Sequence, residues 1–185
     1  MPLDRTWYNS LVDDDGSGLT GTIWDKHAVN VLMTTVDTEL APDGCSATAV
    51  SRQTMTQSAM WIAVEYDNVL WQSPSTMCFP PTNVITIRTA GYYLVTGAVT
   101  FPQGTGVRGL AVYANGANAP GLGGQQILTV ATPETYTVLN LSAILYLNAS
   151  DYVQLAAYQN SGAPIALGAL GLSATNHMQV MRLRR

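Results

Sequence analysis

From Ser46 onward, β-branched and aromatic residues recur in short runs, and clusters of Gly, Pro, Asn and Ser separate one run from the next. The runs predict about ten strands: Ser46–Thr54, Met60–Tyr66, Asn83–Thr89, Tyr92–Phe101, Arg108–Tyr113, Gln126–Val130, Tyr136–Tyr146, Tyr152–Gln159, Ile165–Ala169 and Met178–Leu183. Pro80-Pro81, Ala114-Asn-Gly116, Asn148-Ala-Ser-Asp151 and Asn160-Ser-Gly162 lie between them as turns. Many short strands broken by frequent turns predict a mainly β chain, an antiparallel sandwich or jelly roll. Within Tyr92–Phe101, side chains alternate between two sides. Tyr93, Val95, Gly97, Val99 and Phe101 share one side, and Tyr92, Leu94 and Ala98 share the other. Both sides are largely apolar, so the strand needs cover on both, and a subunit interface would supply the second cover.

Residues 1–44 follow a different rhythm. Trp24, Ala28, Leu32, Val36 and Leu40 fall four apart, which predicts one amphipathic helix at about 24–40. Thr22, with Asp25 three residues later, suits its N-terminus. Ala41-Pro-Asp-Gly44 supplies a stop and a linker. A helix this short is marginal alone in water, so its apolar stripe needs a partner. The partner is either the chain's own β-body and its copies or a larger assembly. The expected layout is an acidic anchor at 1–44 and a jelly-roll trimerisation domain at 45–185.

Charge sharpens this picture. Charged residues make up 11% of the 185-residue chain, against about 25% in ordinary soluble domains. So little charge implies that other protein surfaces cover much of the exterior. The net charge is −4, and the first 44 residues hold most of the acids: Asp4, Asp13, Asp14, Asp15, Asp25, Asp37, Glu39 and Asp43, against Arg5 and Lys26. Without clustered Lys and Arg, nucleic acid is not an expected partner. No apolar run approaches the ~20 residues of a membrane span, and the polar N-terminus does not read as a secretory signal. Cys45 and Cys78 have no zinc spacing; they read as buried thiols, with a bridge as the alternative.

Three tracts carry a family resemblance. Thr89-Ala-Gly-Tyr-Tyr-Leu-Val-Thr96 resembles the Gly-x-Tyr core strand of the complement and tumour-necrosis-factor globular heads. Gly109-Leu-Ala-Val-Tyr-Ala-Asn-Gly116 is similar to that family's strand ending in an Asn-Gly turn. Leu147-Asn-Ala-Ser-Asp-Tyr-Val-Gln-Leu155 resembles its Leu-x-x-Gly-Asp-x-Val strand entry, with Ser150 where glycine is usual. Gln179–Arg184 stands where the family has its closing strand, at the trimer centre. The resemblance covers roughly residues 45–185 and implies a jelly roll that works as a homotrimer. Separately, Arg5–Gly18 and Gly21–Lys26 resemble the leader of phage structural proteins.

Candidate chemistry is sparse. Asp13, Asp15 and Ser17, with Gly18, match the opening positions of a calcium loop, but Trp24 stands where the closing bidentate Glu is needed, so a solvated acidic turn is expected. Gly104-Thr-Gly-Val-Arg-Gly109 spells a dinucleotide fingerprint but precedes a strand, where the pyrophosphate would find no helix N-terminus. Glu65 and Asp67 could share a strand face as paired carboxylates for glycan cleavage, with a solvated strand edge as the plainer reading. His27 and His177, the latter placed just before the last strand, have no nucleophile elbow to serve. Arg182, Arg184 and Arg185 either meet an acidic neighbour across an assembly or stay solvated. Trp61 and Trp71 belong in the core, as large aromatics mostly do, or on the surface as sugar platforms. No cofactor is expected.

The sequence therefore predicts no enzyme. It predicts a trimeric bacteriophage structural protein on the exterior of the virion, a capsid decoration (cement) or head-fibre protein. Residues 1–44, through Trp24, Leu32, Val36 and Leu40, would dock on a major capsid or other virion protein. Tyr93, Tyr152, Tyr158 and Met181 are the expected interface or core contacts of the β-body. The alternative is a tail-fibre tip or adhesin that binds host glycans, and a glycan depolymerase is the remote third.

Overall fold

The computed structural model describes residues 43–56, 58–118, 126–168 and 176–183. These all fall in the unit Asp43–Arg185. The expected helix at 24–40, with Trp24, Leu32, Val36 and Leu40, lies outside the described residues, as do Asp13, Asp15, Ser17 and His27.

The described residues form thirteen strands: β1 (Gly44–Ala49), β2 (Thr54–Met55), β3 (Met60–Ala63), β4 (Asn68–Ser73), β5 (Ile85–Thr86), β6 (Gly91–Phe101), β7 (Val107–Ala114), β8 (Ala117–Asn118), β9 (Gln126–Val130), β10 (Thr137–Leu147), β11 (Tyr152–Gln159), β12 (Ile165–Ala166) and β13 (Asn176–Arg182). Sheet one runs β10-β6-β13-β1-β4. Sheet two has β11 and β7 at its centre, with β3 and β5 along β11 and β8 and β9 along β7. β12 and β2 form a separate pair. Every pairing is antiparallel, and neighbours distant in sequence lie side by side, so the chain crosses repeatedly between sheets.

The alternation along each strand explains the two layers. In β10, Leu139, Leu141, Ala143, Leu145 and Leu147 are buried while Val138, Asn140, Ser142, Ile144 and Tyr146 face outward. In β6 the expected inner set, Tyr93, Val95, Gly97, Val99 and Phe101, is fully enclosed. These meet Leu110, Val112, Val153 and Leu155 of sheet two in one continuous core. Gly97 lets the sheets close here, because a β-carbon at that position would collide with Leu155. The Tyr93 hydroxyl reaches out of the core and donates to the Thr89 carbonyl at 2.6 Å.

Several expectations are corrected. Thirteen strands replace about ten: the expected Ser46–Thr54 ends at Ala49, with Thr54 opening the separate β2, and β4 and β8 fall outside the expected strands. β4 escapes a search for alternation because its pairing with β1 shifts between Ser46 and Ala47, where the chain bulges. β3 stops at Ala63, so Glu65 and Asp67 do not share a strand face. His177 lies within β13 and is exposed. Ser150 keeps the left-handed turn normally given to glycine, at φ 75°. Asn115 (φ 52°) and Gly116 (φ 74°) form the Asn-Gly turn the sequence predicted.

Candidate functional site

The outer face of sheet one is built by register. Ile144 pairs with Leu94, Leu94 with Met181, Met181 with Gly44, and Gly44 with Ser73, so one row crosses all five strands. The row on one side begins with the pair Tyr146 and Tyr92. Their rings meet edge to face, with centroids 5.2 Å apart and planes at 74°. Tyr92, Ile144 and Tyr146 are 49%, 58% and 50% exposed, while Leu94 and Met181 are half-buried beside them. The row on the other side is Ser142, Thr96, Gln179, Ser46 and Trp71, and is mostly polar. These rows carry no carboxylate, lysine or arginine. The apolar end is therefore an uncharged patch at the β6–β10 side of the sheet.

Arg182 closes one border of this patch. Its Nη1 meets Asp43 Oδ2 at 3.3 Å and its Nη2 donates to the Ala90 carbonyl at 2.9 Å. The acid it meets thus belongs to its own chain. Trp71 lies on the same face, and its ring fits because Gly44 has no side chain: a β-carbon there would come within 2.7 Å of Trp71 Cη2.

The outer face of sheet two carries a different cluster. Trp61 is the register partner of Tyr158, and Tyr158 of Gly109. The Trp61 ring lies 5.3 Å from that of Tyr158 and 6.3 Å from that of Tyr113. A β-carbon on Gly109 would come within 2.8 Å of Trp61 Cη2 and 2.6 Å of Leu128 Cδ2, so glycine makes the floor of the cluster. Burial raises the pKa of Tyr113. Trp61 and Trp71 are both half-buried on outer faces, which corrects the expectation that they lie in the core.

The structure places the candidate contacts apart. Tyr93 is in the core, Met181 is on the outer face of sheet one, and Tyr158 is on the outer face of sheet two. Tyr152 is half-buried, with its hydroxyl against Gly116. Ile144 and Tyr146 were not singled out from sequence. The signal was present, since the C-terminal half of β10 is apolar on both sides.

Of the two candidate carboxylates, Asp67 has a structural role, and Asp151, outside that pair, has a similar one. Asp67 Oδ1 and Oδ2 each accept a 2.7 Å hydrogen bond, from the Val50 and Ser51 amides. The Ser51 side chain, with these amides, holds the Asp67 carboxyl below its ordinary range. Asp151 accepts from the Asn148 amide at 2.7 Å and from Asn115 Nδ2 at 2.9 Å, which lowers its pKa likewise. Within Gly104–Gly109, Gly106 presses against Asn160, and Val107 N–H donates to Asn160 Oδ1 at 2.5 Å. Gly104–Gly106 lie in the loop from β6 to β7, and Val107–Gly109 open β7, with no helix among them.

No protein-family model matches the chain, and no curated protein matches it in sequence. Solved structures do match. Murine APRIL at pH 5.0 is 11% identical, with 77% of this chain and 100% of that chain covered at a TM-score of 0.56. The globular domain of zebrafish complement 1qA is 14% identical over 78% and 99% of the two chains, at 0.50. Eiger TNF from S. frugiperda is 13% identical over 77% and 93%, at 0.51. Likeness at such low identity is likeness of fold, and the described body has the jelly-roll fold of the tumour-necrosis-factor and complement 1q globular heads.

Proposed function

We propose that the chain is a homotrimeric structural protein of a bacteriophage virion, a capsid decoration or head-fibre protein on the outside of the particle. One observation carries the self-association: Tyr92, Ile144 and Tyr146 are each about half exposed, side by side, with Leu94 and Met181 beside them and no charge among them. Burying such a surface against copies of itself gives the hydrophobic gain that an isolated chain forgoes. The homotrimer is what the family resemblance of the three β-tracts implies, and it uses the low overall charge. The virion role rests on the likeness of Arg5–Gly18 and Gly21–Lys26 to phage structural leaders and on the acidic composition of residues 1–44. In this reading residues 1–44 dock on a major capsid or other virion protein, and the trimer ties neighbouring shell subunits together. Deleting residues 1–42 then abolishes binding to particles and leaves the trimer intact, because Asp43 and Gly44 belong to the β-body. Retained particle binding after that deletion contradicts the anchor role.

A second reading is favoured by the Trp61–Tyr113–Tyr158 cluster, which offers half-exposed aromatic surface on the opposite sheet. Such a platform suits the apolar face of a host-surface glycan, as in a tail-fibre tip. Trp61→Ala abolishes cell or glycan binding by the full chain in that case and changes nothing in the decoration role.

A further inference from the structure

The two cysteines are far apart in sequence but share one buried site. Cys45 is 0% exposed and Cys78 2%. In β1, Cys45 is the register partner of Gln72 in β4. The Gln72 carboxamide in turn grips the backbone of Cys78: Nε2 donates to the Cys78 carbonyl at 3.1 Å, and Cys78 N–H donates to Oε1 at 2.9 Å. This two-point grip holds the segment after β4 beside the sheet, much as a strand partner would. It brings Cys78 beside Cys45: both are free thiols, and each is the leading influence on the other's protonation. The surroundings are apolar, and Tyr66 lies next to Cys78 with its hydroxyl unpartnered.

We infer that Cys45 and Cys78 are the two halves of an intramolecular disulfide, formed by exchange with a low-molecular-weight disulfide such as oxidised glutathione. The roles of the two sulfurs follow from their positions. Cys78 is carried by the connection between β4 and β5, so reaching it leaves the β1 ladder unbroken. Each thiol favours a thiolate on the other, so the sulfur that the oxidant reaches first is the one that attacks. The Cys78 thiolate attacks one sulfur of the oxidant and releases one thiol. The Cys45 sulfur, losing its proton, then attacks the Cys78 sulfur and releases the second. Two protein thiols and one small disulfide become one protein disulfide and two small thiols. The product is neutral and needs no hydrogen-bond partner, which suits the apolar site. It ties β1 to the segment that follows β4, across the loop holding β2, β3 and β4.

The test is a redox titration of the full chain. The chain is refolded in glutathione buffers of graded oxidised-to-reduced ratio, so that burial does not block exchange. It is then quenched in acid, and its free thiols are counted by maleimide labelling and intact mass. A parallel titration is run in denaturant. The expected result is concerted loss of both thiols within one chain, the mass falling by two hydrogens. The midpoint in the folded chain should be at least about a hundredfold more reducing than in the denatured chain, because a bond the fold favours is one that stabilises the fold. Equal midpoints overturn the proposal, as does a bridge between copies or an end product with glutathione still attached to one cysteine.

Discussion

Tyr92 and Tyr146 are register partners across β6 and β10, and both turn their rings outward, edge to face, at half exposure. Each follows or precedes a fully enclosed neighbour, Tyr93 on one strand and Leu145 and Leu147 on the other. The same two strands thus fill the core with one set of side chains and present an apolar surface with the other. Two tyrosines and an isoleucine side by side make an exposed apolar surface that burial against another protein surface would stabilise.

The first prediction concerns that surface. Ile144→Asp places a charge in the middle of the patch while touching no core residue. Its effect on the fold of the single chain should stay within about 0.5 kcal/mol. Self-association should weaken at least about tenfold, read by light scattering across a dilution series, with circular dichroism unchanged.

Gly97→Ala tests the approach of the two sheets. The added methyl must displace Leu155 in a filled core. Urea denaturation should show a loss of about 1–3 kcal/mol. A neutral result would mean that the sheets are farther apart at β6 and β11 than described.

Much of this architecture is legible in the sequence, for local reasons. Gln126–Val130 and Tyr152–Gln159 are read with their observed bounds because turn residues flank clear runs. The inner set of β6 follows from alternation, while on its other side Ala98 and Thr100 are buried as well and only Tyr92 is exposed. What stays hidden depends on pairing between distant segments. The bulge opposite Ser46 and Ala47 removes the period-two signal of β4. The row Ile144–Leu94–Met181–Gly44 exists only because β13 lies between β6 and β1. Gly44 and Gly109 read as turn or strand glycines, and only the folded chain shows that Trp71 and Trp61 lie over them.

Ser150 supplies a prediction of opposite sign. It occupies the left-handed region at φ 75°, where its β-carbon is disfavoured. Ser150→Gly should stabilise the chain by about 1 kcal/mol, and Ser150→Val should destabilise it, both read as shifts in thermal midpoint.

Asp67 and Asp151 set the acid limit. Both carboxyls have folded pKa values below their ordinary range because hydrogen bonds favour the charged form. Their contribution is complete above the unfolded value of about 4 and is lost as pH falls through the lower folded values. Stability should therefore decline from about pH 4 downward. The double variant Asp67→Asn with Asp151→Asn should be less stable at neutral pH and should show a shallower acid decline, measured by denaturant titration at each pH.

The central claim is that the apolar outer face of sheet one is an interface between copies. Sedimentation equilibrium on the full chain tests it most directly. The account predicts a single species of three times the 19.8 kDa chain mass, reduced to the chain mass by Ile144→Asp. A wild-type chain that sediments as a monomer at micromolar concentration, or a trimer unaffected by Ile144→Asp, would contradict it.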